Sequence, residues 1–338
     1  MSTIDFYNLP KKEKAAIFNQ VSTTSGIPPY AIEKDWWVVQ TLSIIFDMDV
    51  SKYFVFKGGT SLSKGWGLIE RFSEDIDLAI DRRLFGFEGS VNRSQLAKLR
   101  KEAGRFVDDF FLSELRKGIH ENGLEDVSIE LEPGARSDRD RSIFLHYPFV
   151  IESPGYLLPR VKIEFSCRSL IEPFTRRTFG SLVDHVYSEM NFSSAPITVP
   201  TVNPERTFLE KLFLLHEEFQ RPVDNIRTGD RLSRHLYDVV KISKTPFSDK
   251  ALASPELYRM VVAHRRQFNA IPGIDYSFHE PATINPIPNS SVISAWRADY
   301  AKMRDEMIYE ETAPSFTKLL EELIDLKQRL NNIQWTLS

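Results

Sequence analysis

Residues 54–80 read FVFKGGTSLSKGWGLIERFSEDIDLAI: an apolar run, a glycine pair, a basic stretch, and then two aspartates separated by one isoleucine. Few folds accommodate that order. Asp75 and Asp77 alternate with Ile76, Leu78 and Ile80, and alternate residues of a strand project to the same face. The pattern therefore predicts two carboxylates on one exposed surface with the apolar side chains in a core. At strand rise their Cα atoms fall about 6.6 Å apart. That spacing suits one or two Mg²⁺ ions lying about 3.5 to 4 Å apart in phosphoryl-type transfer. Mg²⁺ takes few carboxylates and completes its shell with phosphate oxygens and water.

Upstream, Tyr53 to Phe56 reads as a short buried strand, and Gly58 and Gly59 allow a sharp turn into a helix that Thr60 or Ser61 is placed to cap. Backbone N–H groups freed in such a turn point at an anion. Lys57, Lys64 and Arg71 flank the turn, supplying the positive charge that a triphosphate beside two aspartates requires. A glycine pair alone is usually a plain turn, and an isolated Asp-x-Asp a solvated strand end. Strand, turn, helix and strand in that order make the combination specific. It is not a Walker loop, since no Gly-Lys-Ser/Thr follows four residues after a first glycine. Nor is it a dinucleotide fingerprint, which requires G-x-G-x-x-G.

This segment resembles the AbiEii/AbiGii family of nucleotidyltransferase-like toxins from type IV toxin–antitoxin systems. The matching residues are Lys57-Gly58-Gly59-Thr60-Ser61-Leu62 and Arg71-Phe72-Ser73-Glu74-Asp75-Ile76-Asp77-Leu78. Further matches are Ile32-Glu33-Lys34-Asp35-Trp36-Trp37, Glu205 to Leu212 and Ser233 to Asp238, so the resemblance spans residues 30 to 245. It implies an α+β fold, with a nucleotidyltransferase-like mixed or antiparallel sheet flanked by helices and a mainly helical C-terminal half. It also implies Mg²⁺, two ions, and an NTP substrate bound by Lys57, Gly58, Gly59, Thr60, Ser61, Lys64, Arg71 and Lys211. By the same resemblance, Lys211 handles the nucleotide phosphates, and Asp238 orients Lys211 or the nucleotide.

The run Pro159 to Ser166 alternates cleanly, with Arg160, Lys162, Glu164 and Ser166 on one face and Val161, Ile163 and Phe165 on the other. Nucleotidyltransferase-like folds draw a third carboxylate from a neighbouring strand, which makes Glu164 the candidate to complete metal binding or act as base. A cross-strand salt bridge with Lys162 or Arg160 neighbours is the competing reading for Glu164. The candidate catalytic set is thus Asp75, Asp77, Glu164, Lys211 and Asp238, with Asp75, Asp77 and Glu164 as metal ligands.

The rest of the chain sets bounds. At 338 residues it is long enough for one elaborated domain or two. The single cysteine, Cys167, excludes an internal disulfide and a cysteine-rich zinc site. No run approaches the roughly 20 apolar residues of a membrane span, and the start MSTIDFYNLPKKEK lacks the apolar core of a signal peptide. A cytoplasmic protein is expected. A net charge of −4 argues against a uniformly basic nucleic-acid binder, so an RNA partner needs a local basic surface. Arginines 136, 139, 141, 160, 168, 176 and 177 gather in one such segment, although interspersed acids leave open that these are solvated faces.

Periodicity predicts helices at 11–24 and 30–47, the second with Trp36 and Trp37 in the core and Glu33, Lys34 and Asp35 as surface charges. A long amphipathic helix is predicted from Ser94, as N-cap, to Lys117, with Leu96, Leu99, Phe106, Phe110, Phe111 and Leu115 on its buried side. Strand-like runs follow at 127–132, 142–150 and 159–167, and helices grouped apart from strands fit an α+β domain. The Pro-rich PITVPTVNP marks a boundary. The expected organisation is a nucleotidyltransferase-like domain over 1–195, and over 196–338 a mainly helical domain that completes the active-site cleft. In the latter, Asn203 and Pro204 start a helix to 218, another covers 230–244, and His216 and His235 read as structural.

These readings favour transfer of a nucleoside monophosphate from an NTP to an acceptor hydroxyl. The resemblance extends this to a toxin with a separately encoded antitoxin, acting on RNA such as the tRNA 3′ end. A protein or small-molecule acceptor, or a non-catalytic interaction protein on the same scaffold, are the alternatives, and the intact Asp75 and Asp77 count against the last.

Overall fold

Seven short strands, of which those that carry Asp75 and Glu164 show the alternation read in the sequence, build the sheet among the described residues. In the computed structural model, which describes residues 4–89, 91–133, 140–153, 158–229 and 231–337, they are β1 (Phe54–Lys57), β2 (Asp75–Ile80), β3 (Ser128–Leu131), β4 (Ser142–His146), β5 (Arg160–Ser166), β6 (Phe174–Phe179) and β7 (Ile197–Val202). They form one sheet in the order β3-β4-β5-β2-β1-β7-β6. β2 runs antiparallel to β1 and parallel to β5, so the sheet is mixed and the fold is α+β. By chain contacts the protein divides into two units, Met1–Trp66 with Phe72–Val202, and Gly67–Arg71 with Asn203–Ser338.

In the first unit the helices are α1 (Ile4–Tyr7), α2 (Lys11–Ser25), α3 (Pro29–Asp47), α4 (Gly58–Thr60), α5 (Arg93–Arg105), α6 (Leu112–Glu121) and α7 (Leu182–Val186). Proline at the first position of α3 begins it at no cost in hydrogen bonds. α3 packs on β2, β5 and β7, and Ala31 through Leu42 are buried without interruption. The expectation of surface charge at Glu33, Lys34 and Asp35 is therefore wrong. Periodicity assumes one solvent face, whereas this helix is enclosed on every side and its charges are satisfied by partners.

The predicted helix over 94–117 is a continuous helical run from Arg93 to Glu121, but a π-helical turn, Phe106–Phe111, interrupts it. Its N-cap is Asn92, in a reciprocal capping box with Gln95, rather than Ser94. Leu99, Ala103, Val107, Phe111, Leu115 and Ile119 are buried at a strict spacing of four. A 3.6-residue helix drifts away from such a stripe, and one wide turn restores its phase. The same shift leaves Phe110 exposed, contrary to expectation, while Phe111 meets Phe54 and Phe165 edge-on at 5.7 and 4.6 Å. The Pro-rich run that marks the boundary also contains a strand: Pro200 in β7 pairs with Arg176 of β6.

The second unit consists of α8 (Pro204–Gln220), α9 (Arg234–Ser243), α10 (Pro246–Leu252), α11 (Pro255–Phe268), α12 (Ile293–Met307) and α13 (Phe316–Asn331) with short 3₁₀ turns. Phe208, Leu212 and Leu215 of α8, Leu236 and Val239 of α9, and Leu319, Leu323, Leu326 and Leu330 of α13 are buried. The segment Gly67–Arg71 belongs here because Glu70 accepts a hydrogen bond from the Tyr309 amide at 3.0 Å and Arg71 bridges to Ile308. Among the described residues, no helix is long and apolar enough to cross a membrane.

Candidate active site

Strand register builds the first unit's polar centre. Asp77 is the partner of Lys57 on β1 and of Glu164 on β5, while Asp75 is the partner of Lys162. Register partners share a face about 4.8 Å apart, so Lys57, Asp77 and Glu164 form one row and Asp75 with Lys162 the next. Ile76 and Leu78 point the other way and are fully buried. The row opens on a cavity of about 550 Å³ whose lining includes Lys57, Asp77, Glu164, Arg100, Arg141 and Arg168. Arg141 is held by Asp108 at 2.9 Å and Arg168 by Asp140 at 2.7 Å. Arg136 and Arg139 of the same basic segment lie outside the described residues.

The glycine turn is shaped by those carboxylates. Gly58 has φ +81°, and a Cβ there would stand 1.9 Å from Asp77 Oδ2. Only glycine lets the backbone pass so close. The helical turn starts at Gly58 itself, so Thr60 and Ser61 are not its caps. The Thr60 hydroxyl instead donates to the Asp75 carbonyl at 2.6 Å and lies 3.0 Å from Ser73 Oγ, and Ser61 donates to the Gly58 carbonyl at 2.9 Å. Lys64, one turn on, pairs with Asp35 at 2.8 Å.

Burial, followed by repulsion from Glu74, Asp77 and Glu164, pushes the Asp75 carboxyl up to about 7. Burial also acts against ionisation of Glu164, but Lys162, at 2.5 Å, holds it below the usual carboxylate range. Glu164 thus does form a salt bridge, but with Lys162 of its own strand rather than across strands. Among the described residues, no three His, Cys, Asp or Glu side chains form a ready-made metal cage. Asp75 and Asp77 are nevertheless a pair of hard-oxygen donors, the ligand type that Mg²⁺ takes.

The second unit has its own charged centre. Asp238 of α9 is 0% exposed and accepts a two-pronged pair from Arg71, Nε and Nη2 each at 2.7 Å. Lys211 of α8 reaches the same carboxylate at 2.9 Å and lies 3.4 Å from His235 Nδ1. Burial opposes the charge on Asp238, but Arg71 and Lys211 outweigh it and hold the carboxyl well below its ordinary value. Burial lowers Lys211 and, more strongly, His235, which is therefore neutral at pH 7.

The family model for the nucleotidyl transferase AbiEii toxin of type IV toxin–antitoxin systems matches residues 42–322. The chain belongs to the AbiEii toxin family. A solved structure similar to it is MenT4, a nucleotidyltransferase toxin from Mycobacterium tuberculosis H37Rv, at 15% identity over 96% of this chain and 99% of that one, with a TM-score of 0.46. No curated protein matches the sequence.

In this AbiEii family chain the residues singled out in the sequence fall into two groups. Lys57, Gly58, Gly59, Thr60, Ser61, Lys64, Asp75, Asp77 and Glu164 lie in the first unit, and Arg71, Lys211 and Asp238 in the second. Arg71 had been read with the glycine turn, and its guanidinium is instead bound to Asp238. Sequence reasoning missed Lys34, whose ammonium pairs with Glu74 beside Asp75, and Arg100 of the cavity wall, whereas Arg141 and Arg168 belong to the basic segment noted in the sequence. For Lys34 the signal was present in the EKDWW match, but the helical period assigned it to solvent.

Proposed function

We propose that this AbiEii family protein is a Mg²⁺-dependent nucleotidyltransferase that moves a nucleoside monophosphate from an NTP to a hydroxyl of RNA, at the tRNA 3′ end. The observation that supports this most is the row Lys57, Asp77 and Glu164, with Asp75 one step along and Gly58 directly under Asp77. Asp75 and Asp77 would hold Mg²⁺, one ion or two, with Glu164 completing the oxygen set. Bound there, the metal supplies stabilisation of charge on the transferring phosphoryl group. The backbone from Gly58 to Ser61 and the Lys57 and Lys64 ammonium groups receive the phosphates. In the second unit Lys211 is assigned to phosphate charge, with Asp238 fixing its ammonium and Arg71 fixing Asp238.

The acceptor oxygen bonds to the α-phosphorus, the bond from that phosphorus to the pyrophosphate oxygen breaks, and pyrophosphate leaves. The hydroxyl proton passes to a carboxylate. Glu164 suits this better than Asp238, because both Asp238 oxygens are taken up by cations. As a type IV system toxin, the protein is expected to be countered by a separately encoded antitoxin.

The test is label transfer from each α-labelled NTP, with Mg²⁺, to total tRNA and separately to cell protein, alongside growth arrest on expression. Asp75→Asn and Asp77→Asn are expected to lose both label and toxicity by about 10³-fold or more, in the manner of removed charge stabilisation, with melting temperature retained. Label on protein rather than RNA would overturn the acceptor, and toxicity that survives both substitutions would overturn the enzyme.

A further inference from the structure

Three consecutive charged residues of α3, Glu33, Lys34 and Asp35, are buried. Consecutive helical side chains stand about 100° apart, so the triplet sweeps more than half of the helix circumference, and each member fastens a different segment. Glu33 accepts from the Val150 and Ile151 amides at 2.8 and 3.0 Å. The Lys34 ammonium, 2% exposed, pairs with Glu74 and donates to the Leu158 carbonyl at 3.1 Å. Asp35 binds Lys64 at 2.8 Å and accepts from the Leu182 amide at 2.7 Å.

Two of these tethers end on the candidate site. Glu74 immediately precedes Asp75 at the start of β2, and Lys64 lies in the helical turn that begins at Gly58. Thr60 closes the third side, donating to the Asp75 carbonyl at 2.6 Å. Glycine turn, acidic strand and α3 thus form a closed triangle of polar bonds. Burying isolated charges is costly, and an apolar triplet would commonly be at least as stable, so stability alone does not account for these residue types.

We propose that Lys34 and Asp35 are positioning residues that fix the glycine turn against the Asp75/Asp77 strand. This rests on the nucleotidyltransferase reading above. Neither side chain takes part in the chemistry; each acts through a partner that adjoins it. A misplacement of about 1 Å is enough to slow such a reaction about 100-fold, and supporting groups of this kind set that precision. Glu33 provides an internal comparison, because it is buried on the same helix but fastens a loop that carries none of the proposed site residues.

The experiment uses the full chain, with label transfer from an α-labelled NTP to total tRNA and melting temperature measured for each variant. Lys34→Met and Asp35→Asn are expected to lower kcat about 100-fold with KM for tRNA within about twofold, and to raise the Mg²⁺ needed for half-maximal rate. Lys34→Arg, which keeps the charge beside Glu74, should recover most of the rate. Glu33→Gln should lower the melting temperature comparably yet keep kcat within about threefold. If kcat instead tracks melting temperature across all the variants, or if Lys34→Met and Asp35→Asn transfer at the native rate, the positioning role is overturned. Should Lys34→Met not fold, Asp35→Asn against Glu33→Gln carries the same comparison. Asp77→Asn is included as the separate check on the underlying reaction: its loss of transfer beside a normal Lys34→Met would overturn the positioning role alone, and its retention of transfer would overturn the reaction.

Discussion

At the scale of single residues, Gly58 shows how one missing atom sets a site. Its backbone has φ +81° and runs so close to Asp77 that a Cβ would overlap the carboxylate. Alanine there has both to adopt a left-handed backbone, at about 1 to 2 kcal/mol, and to push Asp77 aside. Gly26, with φ +71° and nothing within 4 Å of its would-be Cβ, separates the two effects. Gly26→Ala is expected to lose in urea titrations the backbone cost alone and Gly58→Ala more than that, because of the clash with Asp77, and only Gly58→Ala lowers transfer, by about 100-fold. Equal activities would show that Asp77 does not depend on Gly58.

At the scale of elements, the carboxylate Asp238 of α9 ties α8, through Lys211, to the Gly67–Arg71 segment, through Arg71. Removing the anion leaves two cations without it in a dry environment. Asp238→Asn is expected to destabilise the protein by about 3 to 5 kcal/mol in chemical denaturation. Replacing the whole set, as Asp238→Leu with Arg71→Met and Lys211→Met, should restore most of that stability, since apolar packing commonly equals a buried ion pair. It should not restore label transfer if Lys211 serves the phosphates. Recovery of both would make the clasp purely structural.

At the scale of the whole molecule, the two units carry opposite proton linkage. In the first, Glu33 is raised from 4.5 to about 7, chiefly by burial, and Asp75 from 3.8 to about 7, by burial and then by neighbouring acids. Between those values the native state holds more protons than the unfolded one, so their contribution to stability falls as pH rises to 7. In the second, His216 is lowered from 6.5 to about 4, by burial and then by His279. There the unfolded chain holds more protons across that window, so stability grows as pH rises from 4 to 6.5. The contribution of Asp238 is complete above its unfolded value and is lost only in stronger acid. Hydrogen exchange, corrected for intrinsic rates, should show α8 and α13 gaining protection between pH 5 and 7 while α3 and β2 lose it. A common direction in both units would contradict the assignment.

What could be read from the chain without its fold was local. The turn at Gly58, the alternation around Asp75 and Asp77, the polar face of Glu164 and the stripe along residues 316–330 each depend on neighbours a few residues away, and hydrophobic period reports such neighbours directly. The tertiary structure decided everything that rests on distant partners. Register across β1, β2 and β5, not spacing along one strand, brings Lys57, Asp77 and Glu164 into a row. Arg71 lies six residues before Asp77, yet its charge is spent on Asp238, 167 positions away. Glu33, Lys34 and Asp35 look solvated in the sequence because their polarity is visible there and their partners are not. A charge becomes tolerable in a core only when the fold supplies the opposite charge or a hydrogen-bonding backbone, and helical period contains no record of that supply.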